Sequence, residues 1–272
     1  MTVCSHAFIA LAWIGLTLAT PATGQHLDLA PRPEGAPSGT EFASSMSGLN
    51  LDAREARIVS EILSGNVPQA HRKLVPVRVT TDGGDVVFWA MPEYLAIGSD
   101  ADWMHIPMTP QSAQRIADAL GMALPTPRMV DAIWEQAHVR LAPLPIPPSP
   151  EMTTVAVFAR HSQTLQAQRA GMLNGLVAGH KKDVVVSRDL ASQPGRVAIY
   201  GWHQLDGTPI QPLYLGHTAD WVDYSHGIRL VSRQVMVGGY PRDLWDVLRD
   251  AELATALSAE GPIELPWFAA DE

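Results

Sequence analysis

The sequence predicts an α+β fold in a single compact domain, with mainly antiparallel strands in its C-terminal half. Predicted strands follow one another more often than they alternate with helices, which argues against a doubly wound parallel sheet. The chain has 272 residues, of which 46% are hydrophobic and 17% charged, so it is long enough to bury one substantial core. Amphipathic segments with clear start signals predict helices at 52–64, 110–120, 127–139 and 241–257.

The N-terminal segment resembles a secretory signal. Residues 7–20 form an apolar run too short to span a bilayer comfortably, and small residues follow at 22–24. We therefore expect a signal peptide over 1–24, although no Lys or Arg precedes the apolar run, which leaves a misassigned start or an uncleaved anchor as alternatives. Residues 25–48 are rich in Pro, Gly, Ser and Ala without an apolar period, so we expect a flexible leader and a domain spanning 49–272.

The first half of the domain carries the clearest local signals. Asp52 and Glu55 have the spacing of a capping box, and apolar residues then recur on one helical face. Two β-branched runs, 74–80 and 86–91, flank a segment with paired glycines and predict a hairpin. Thr-Pro pairs at 109–110 and 126–127 predict the next two helix starts, because a hydroxyl caps the helix and proline suits its first position.

The second half of the domain has fewer local signals of secondary structure. Residues 141–150 alternate apolar residues with prolines and predict an extended strap laid over the domain. We expect strands at 153–159, 183–187, 196–202 and 227–237, a short polar helix at 161–170, and a final amphipathic helix at 241–257.

Composition restricts the function. The formal net charge of −9 argues against binding to nucleic acid or to anionic membranes, which would require a basic face. The single cysteine, Cys4, lies in the predicted signal, so the mature chain would have neither disulfides nor thiolate catalysis. Between Arg160 and Arg233, however, eight basic residues stand against five acidic ones, together with five of the ten histidines. This window favours a substrate with carboxylates or phosphates, although surface charges that happen to cluster explain it equally well.

Residues 216–230 hold the densest group of residues capable of chemistry, including His217, Asp223 and His226. In a regular strand Asp223 and His226 would point to opposite faces. A turn at Tyr224 and Ser225 would let them meet, and an Asp-His pair can hold an imidazole in one tautomer for acid-base catalysis. Ser225 next to His226 lacks the surroundings of a serine nucleophile.

Two shorter polar segments upstream are expected to complete one site with this turn. The predicted catalytic residues are His226, Asp223, His203 and His180. The predicted substrate-binding residues are Lys181, Lys182, Asp183, Trp202, Gln211, His217, Tyr224, Ser225 and Arg229. Their charges suit an anionic group, and the aromatic rings suit a sugar. The alternative is a purely structural role, in which the histidines and tryptophans pack in the core and the adjacent lysines are solvent-exposed surface residues.

A bound metal is a competing interpretation. The histidines and aspartates of these segments could supply zinc ligands, but their spacing matches no diagnostic zinc motif, so no metal ligand is assigned. Asp100 and Asp102 could chelate a hard cation, but a turn or a helix cap explains them better.

We therefore expect an exported hydrolase, periplasmic or extracellular, that acts on an anionic peptidoglycan-like or polysaccharide polymer by His/Asp acid-base chemistry, with zinc assistance left open. The alternative is a non-catalytic periplasmic protein that binds a glycan or a protein partner. No nucleic-acid partner and no membrane span after signal cleavage are expected.

Overall fold

A computed structural model describes residues 25–81, 84–172 and 175–269. It confirms the mixed α+β fold, with seven α-helices and mostly antiparallel strands over these ranges. The predicted signal peptide at 1–24 lies outside the described residues. In the part of the chain that the structure describes, no helix is both long and apolar enough to cross a membrane.

The helices begin where side chains can cap them. They are α1 Gly39–Ser45, α2 Leu51–Leu63, α3 Pro110–Ala119, α4 Pro127–Glu135, α5 Val155–Arg169, α6 Leu244–Arg249 and α7 Ala254–Leu257. As predicted, the hydroxyls of Thr109 and Thr126 cap α3 and α4, each ahead of a proline. The cap of α2 differs from the prediction, because Asn50 rather than Asp52 accepts the hydrogen bond, from the Ala53 amide.

The strands are short. They are β1 Val75–Thr81, β2 Gly84–Ala90, β3 Ala96–Gly98, β4 Trp103–His105, β5 Met122–Ala123, β6 Val139–Arg140, β7 Val177–Ala178, β8 Lys182–Val184, β9 Ile199–His203, β10 Pro209–Tyr214, β11 His226–Gly227, β12 Val231–Ser232, β13 Gln234–Val237 and β14 Tyr240–Asp243. The predicted hairpin is present as β1 and β2.

Two sheets organise the fold. The larger sheet has the order β14-β13-β2-β12-β5, with β1 also paired to β2. The smaller sheet has the order β10-β9-β8-β11. Within it β8 and β11 are parallel, and the other neighbours are antiparallel. The smaller sheet therefore brings three segments of the predicted site, at 182–184, 199–203 and 226–227, side by side.

The expected flexible leader is instead part of the packed fold. Residue 25 accepts a hydrogen bond from the Leu74 amide, and the Leu27 amide donates to the carbonyl of Arg72. Phe42, on α1, is fully buried in the main hydrophobic core. Proline and glycine here shape irregular backbone, and the few apolar residues of the segment supply its packing energy, at about 1.5–3 kcal/mol for a side chain such as Phe42.

Two further predictions differ from the structure in the region around the strap. The strap at 141–150 is extended as predicted and ends in a short 3-10 turn. The strand predicted at 153–159 is wrong, because Thr154 caps a single helix, α5, that also absorbs the predicted helix at 161–170. Its buried residues, among them Phe158, His161 and Leu165, recur at helical spacing across both predicted segments.

The C-terminal elements are also shorter than predicted. The long strand expected at 227–237 is divided into β11, β12 and β13, because the chain leaves the smaller sheet and enters the larger one. The helix expected at 241–257 is divided as well. Residues 240–243 pair with β13, and Asp243 then caps α6 by accepting from the Trp245 amide. The Asp250 carboxylate interrupts the helix before α7 by accepting from two following amides.

Candidate functional site

The predicted turn at Tyr224 and Ser225 is present and brings Asp223 next to His226. The His226 amide donates to the carbonyl of Asp223 at 3.1 Å, and the imidazole Nε2 lies 3.8 Å from the carboxylate Oδ2. The other carboxylate oxygen accepts from the amide and hydroxyl of Ser225 at 2.7 and 2.6 Å. Because this hydroxyl donates to Asp223 and not to the imidazole, Ser225 positions the carboxylate and is not arranged as a nucleophile.

The two side chains of this pair have different charge states at neutral pH. Burial lowers the pKa of His226 to about 4, although the neighbouring Asp223 raises it in part. Burial of Asp223 opposes its ionisation, but the attraction of His226 and the hydrogen bonds from Ser225 outweigh it, so its pKa lies below the usual value. A neutral imidazole therefore lies beside an ionised carboxylate. Both nitrogens of His226 are buried without a hydrogen-bond partner in the described protein.

Lys182 lies on the same face of the smaller sheet as His226, because the two residues are register partners in parallel strands. The Lys182 ammonium lies 5.0 Å from the centre of the Trp202 ring, which favours a cation–π contact. Burial lowers its pKa, whereas Asp223 raises it. The half-buried Lys182 is thus a positive charge at the edge of the Asp223–His226 pair.

Two aromatic groups form the outer rim of this site. The rings of His217 and Trp221 are stacked, with centres 5.2 Å apart, and Trp221 is 37% exposed. The Trp221 indole also donates to the carboxylate of Asp223 at 3.2 Å. The rim therefore connects the solvent-exposed surface to the buried pair.

His203 is not brought into this site. Its Nε2 lies 2.9 Å from a carboxylate oxygen of Asp131 on α4, and the Tyr200 hydroxyl donates to the same oxygen at 2.8 Å. In a regular strand Tyr200 and His203 would face opposite sides. Gly201 and Trp202 both have positive φ, of 104° and 55°, and this break in alternation sends Trp202 towards Lys182 and His203 towards α4. A positive φ is costly for a residue as large as tryptophan.

His180 is also held elsewhere, in a buried cluster centred on Glu93. One carboxylate oxygen of Glu93 lies 2.9 Å from Nε2 of His180 and 3.3 Å from Nε2 of His105. The other oxygen accepts from the Arg169 guanidinium at 3.0 Å. Burial opposes the charge of Glu93, but its pKa is held well below the usual value by these partners, the histidines above all.

Glu93, His105 and His180 offer ligand atoms within 4.8 Å of one another, the spacing at which a metal ion could be held. The positions of the hydrogen-bond protons favour a hydrogen-bonded cluster over a metal site. The Ser162 hydroxyl accepts from the His105 amide and from Gln166, which occupies both lone pairs, so its own proton goes to Nδ1 of His105 at 3.2 Å.

Neutral His105 then carries its proton on Nε2, which lies 3.3 Å from the Glu93 carboxylate but is not aligned for a hydrogen bond. Arg169 also balances the charge of Glu93 already, so a divalent cation would add uncompensated positive charge to a buried region. We therefore assign the cluster to structural hydrogen bonding.

Three residues predicted to bind substrate point away from solvent. Asp183 accepts from the Tyr94 hydroxyl at 2.7 Å, and burial raises the pKa of Asp183 to about 6. Arg229 is fully buried and donates to the carbonyls of Met91 and Val177 at 2.7 and 2.6 Å. Lys181 is fully buried as well. Asp183 and Arg229 tie the two halves of the chain together, and none of the three side chains reaches a substrate in this arrangement.

The remaining sequence-derived candidates have local roles. The Gln211 side chain, on the edge strand β10, donates to the carbonyl of Pro212. Asp100 accepts from the Ala70 amide, and Asp102 accepts from the Thr40 amide at the start of α1. The prediction of a turn or capping role for these two aspartates is confirmed.

Sequence reasoning missed several partners of the candidate residues, of which Asp131 is partly exposed and the others are buried. These are Glu93, His105, Asp131, His161 and Arg169. Four of the five, all but Glu93, lie in helices or strands outside the segments that were predicted to form the site. A polar residue at a core-facing helical position, such as His161, is the one local signal that could have drawn notice.

Comparison with known proteins adds no homology, since no protein-family model, no curated protein and no solved structure matches the chain.

Proposed function

We propose that this protein is an exported hydrolase that acts on an anionic envelope or extracellular polymer, peptidoglycan-like or polysaccharide, with His226 as the acid-base residue. The observation that supports this proposal is the turn that places Asp223 beside His226, on the sheet face that also carries Lys182. The proposed substrate is a polymer or glycan, and we propose no nucleic-acid partner, because the chain carries a formal net charge of −9.

The proposed chemistry assigns one role to each of these side chains. His226 is neutral at pH 7 and can accept a proton from the attacking water, then return it to the leaving group. The ionised Asp223 stabilises the imidazolium that forms. Lys182 binds a carboxylate or phosphate of the polymer, and the Trp221–His217 stack offers a flat surface to a sugar ring.

This mechanism requires that a substrate reach the buried side chain of His226. Both imidazole nitrogens are shielded from solvent, so the substrate has to displace part of the rim, of which Trp221 is the exposed member. Binding energy from the polymer can drive such a movement, as in other sites that close around a substrate.

Export is part of the proposal and rests on the apolar run at 7–20 with the small residues after it. In an oxidising compartment the absence of cysteine after residue 4 would make the protein independent of disulfide formation. Fusion of residues 1–30 to a reporter enzyme that is active only after export tests this part of the proposal separately.

The activity is tested by incubating the purified protein with cell-wall and polysaccharide substrates, with and without a chelator. His226→Ala and Asp223→Asn should lower turnover roughly 100-fold or more, with circular dichroism showing that both variants remain folded at the assay temperature. His26→Ala, which changes an exposed histidine, is the matched control. Equal turnover of His226→Ala and the unmodified protein would refute the assignment, and loss of activity with chelator would show that a metal takes part.

A non-catalytic glycan-binding protein is the second candidate. It is favoured by the burial of His226 together with the exposure of Trp221 and Tyr214, whose rings both contact His217. In that case the same polymers would bind without being cleaved, and Trp221→Ala would weaken binding whereas His226→Ala would not.

A further inference from the structure

Lys181 is a fully buried amine that the proposed hydrolase chemistry does not use. It lies immediately before β8, and the chain contains two other lysines, Lys73 and Lys182. The Lys181 amine contacts two acceptors, the carbonyl oxygen of Tyr224 and Nδ1 of His161 at 3.2 Å. Neither acceptor carries a negative charge.

The number of acceptors indicates the protonation state of the amine. An ammonium group has three N–H donors and no lone pair, so one donor of Lys181 would remain unsatisfied in a buried, uncharged environment. A neutral amine has two N–H donors and one lone pair. The two acceptors match the neutral form, and its lone pair is left without a partner among the described residues.

The state of His161 is consistent with this assignment. Its Nε2 lies 3.0 Å from the carbonyl oxygen of Leu144, an acceptor, so Nε2 carries the proton of the neutral imidazole. Nδ1 is then unprotonated and accepts from Lys181. Burial, together with the charge on Lys181 when it is present, lowers the pKa of His161 to about 3.

A small cavity of about 240 Å³ lies on the other side of His161, between the strap and α5. Its walls are mainly apolar, from Leu144, Ile146 and Val157, and Arg160 and Thr164 supply the other polar groups. Two side-chain hydrogen bonds hold the strap here, one to Leu144 from His161 and one from the Ile146 amide to the Tyr224 hydroxyl. Breaking these two contacts would open the cavity towards Lys181.

We propose that Lys181 is a nucleophilic amine that forms an imine with a small carbonyl compound carrying a carboxylate, such as a 2-oxo acid, admitted between the strap and α5. Arg160 at the cavity supplies the charge that would bind the carboxylate. The restricted volume selects a small molecule.

The reaction balances without another reagent. The nitrogen lone pair attacks the carbonyl carbon, a C–N bond forms, and the carbonyl π pair moves to oxygen. Nδ1 of His161 accepts a proton from nitrogen and passes it to that oxygen. The carbinolamine then loses its C–O bond as the C=N bond forms, and the second N–H proton leaves with the oxygen as water.

The electrostatic surroundings agree with the hydrogen-bond count. Burial lowers the pKa of Lys181 to about 7, and the carboxylates of Asp223 and Glu93 limit this fall without contacting the amine. A solvated lysine with the reference pKa of about 10.4 is neutral in roughly one molecule in 2,500 at pH 7.

The test is reductive trapping of the intact protein with glyoxylate and cyanoborohydride at pH 7, followed by mass mapping of the three lysines. We expect the Lys181 side chain to gain a carboxymethyl group at least about tenfold faster than Lys73 does. Tyr224→Phe, which removes one hydrogen bond of the strap, should increase the rate further. Modification of Lys73 and Lys182 alone, in both the unmodified protein and Tyr224→Phe, would overturn the proposal.

The preference of the site for a carboxylate-bearing carbonyl compound is tested separately. Acetaldehyde, which lacks a carboxylate, should trap Lys181 more slowly than glyoxylate does, and Arg160→Gln should abolish this difference. A preference unchanged in Arg160→Gln would refute the assigned ligand class. Circular dichroism of both variants confirms that they fold, and the readout is independent of any polymer hydrolysis.

Discussion

Replacement of His226 by glutamine should make the protein less sensitive to acid. His226 has a pKa of about 4 in the fold, lowered first by burial, with Asp223 raising it and Lys182, His217 and Lys181 lowering it. In the unfolded chain its pKa is about 6.5. Protonation therefore favours the unfolded state between these two values, and the stability that neutral His226 allows is lost as the pH falls from about 6.5 towards 4.

The magnitude follows from the two pKa values. Linkage gives a loss of about 2 kcal/mol between pH 7 and pH 5 and about 3 kcal/mol by pH 4 from this one side chain. Glutamine cannot be protonated in this range, so His226→Gln should remove that share of the acid sensitivity. Other buried histidines, such as His71 and His161, remain in both proteins and cancel in the comparison.

Urea denaturation at pH 7 and pH 5 measures the effect, with the free energy of unfolding extrapolated at each pH. The difference between the two pH values should be about 2 kcal/mol smaller for His226→Gln than for the unmodified protein. The exposed His26→Gln is the control and should shift stability equally at both pH values. An unchanged pH difference in His226→Gln would mean that the imidazole is not held neutral by burial.

Three further predictions test the packing, the backbone and the charge of the site. Phe42→Ala should lower the free energy of unfolding by about 3–5 kcal/mol in urea titrations, whereas replacement of the exposed Leu49 by alanine should lower it by less than about 1 kcal/mol. If both substitutions had similarly small effects, residues 25–48 would be a flexible leader that does not pack on the core. Ala170→Gly should stabilise the protein by about 0.5–1 kcal/mol in thermal unfolding, because Ala170 ends α5 with a φ of 50°, which glycine adopts more easily. Ala156→Gly, inside the same helix, should destabilise the protein by a similar amount. If both substitutions changed the stability in the same direction, the backbone strain at Ala170 would be refuted. Lys182→Ala should raise KM for an anionic polymer about tenfold, the value expected for the loss of one charged contact, and should make KM less dependent on salt concentration. An unchanged KM would exclude Lys182 from substrate binding.

Local sequence determined the elements whose signals lie within a few residues. Thr109 and Thr126 begin helices because a hydroxyl and the proline after it satisfy the first turn without help from distant residues. The hairpin of β1 and β2 needs only β-branched runs and a glycine-rich turn. The Asp223–His226 turn is of the same kind, since it closes over four residues.

Local sequence was insufficient where a segment's partner lies far away. The apolar pattern of 153–159 suits a strand or a helix, and the Thr154 cap with the buried face of α5 decides for the helix. Residues 25–48 lack a period, yet Phe42 finds a place in the core that only the assembled fold provides. Such positions are decided by burial against distant residues, which overrides weak local preference.

The tertiary structure alone decided which of the predicted site residues share a site. His180 contacts Glu93, which is 87 positions away, and Lys181 contacts His161 on α5. The positive φ of Trp202 reverses the side to which the next residue points. By itself the sequence determined the α+β fold and the Asp223–His226 turn. Only the fold could distribute the histidines of 180–226 among three separate environments, because His180 and His203 are held by Glu93 and Asp131, which are distant in sequence and adjacent in space.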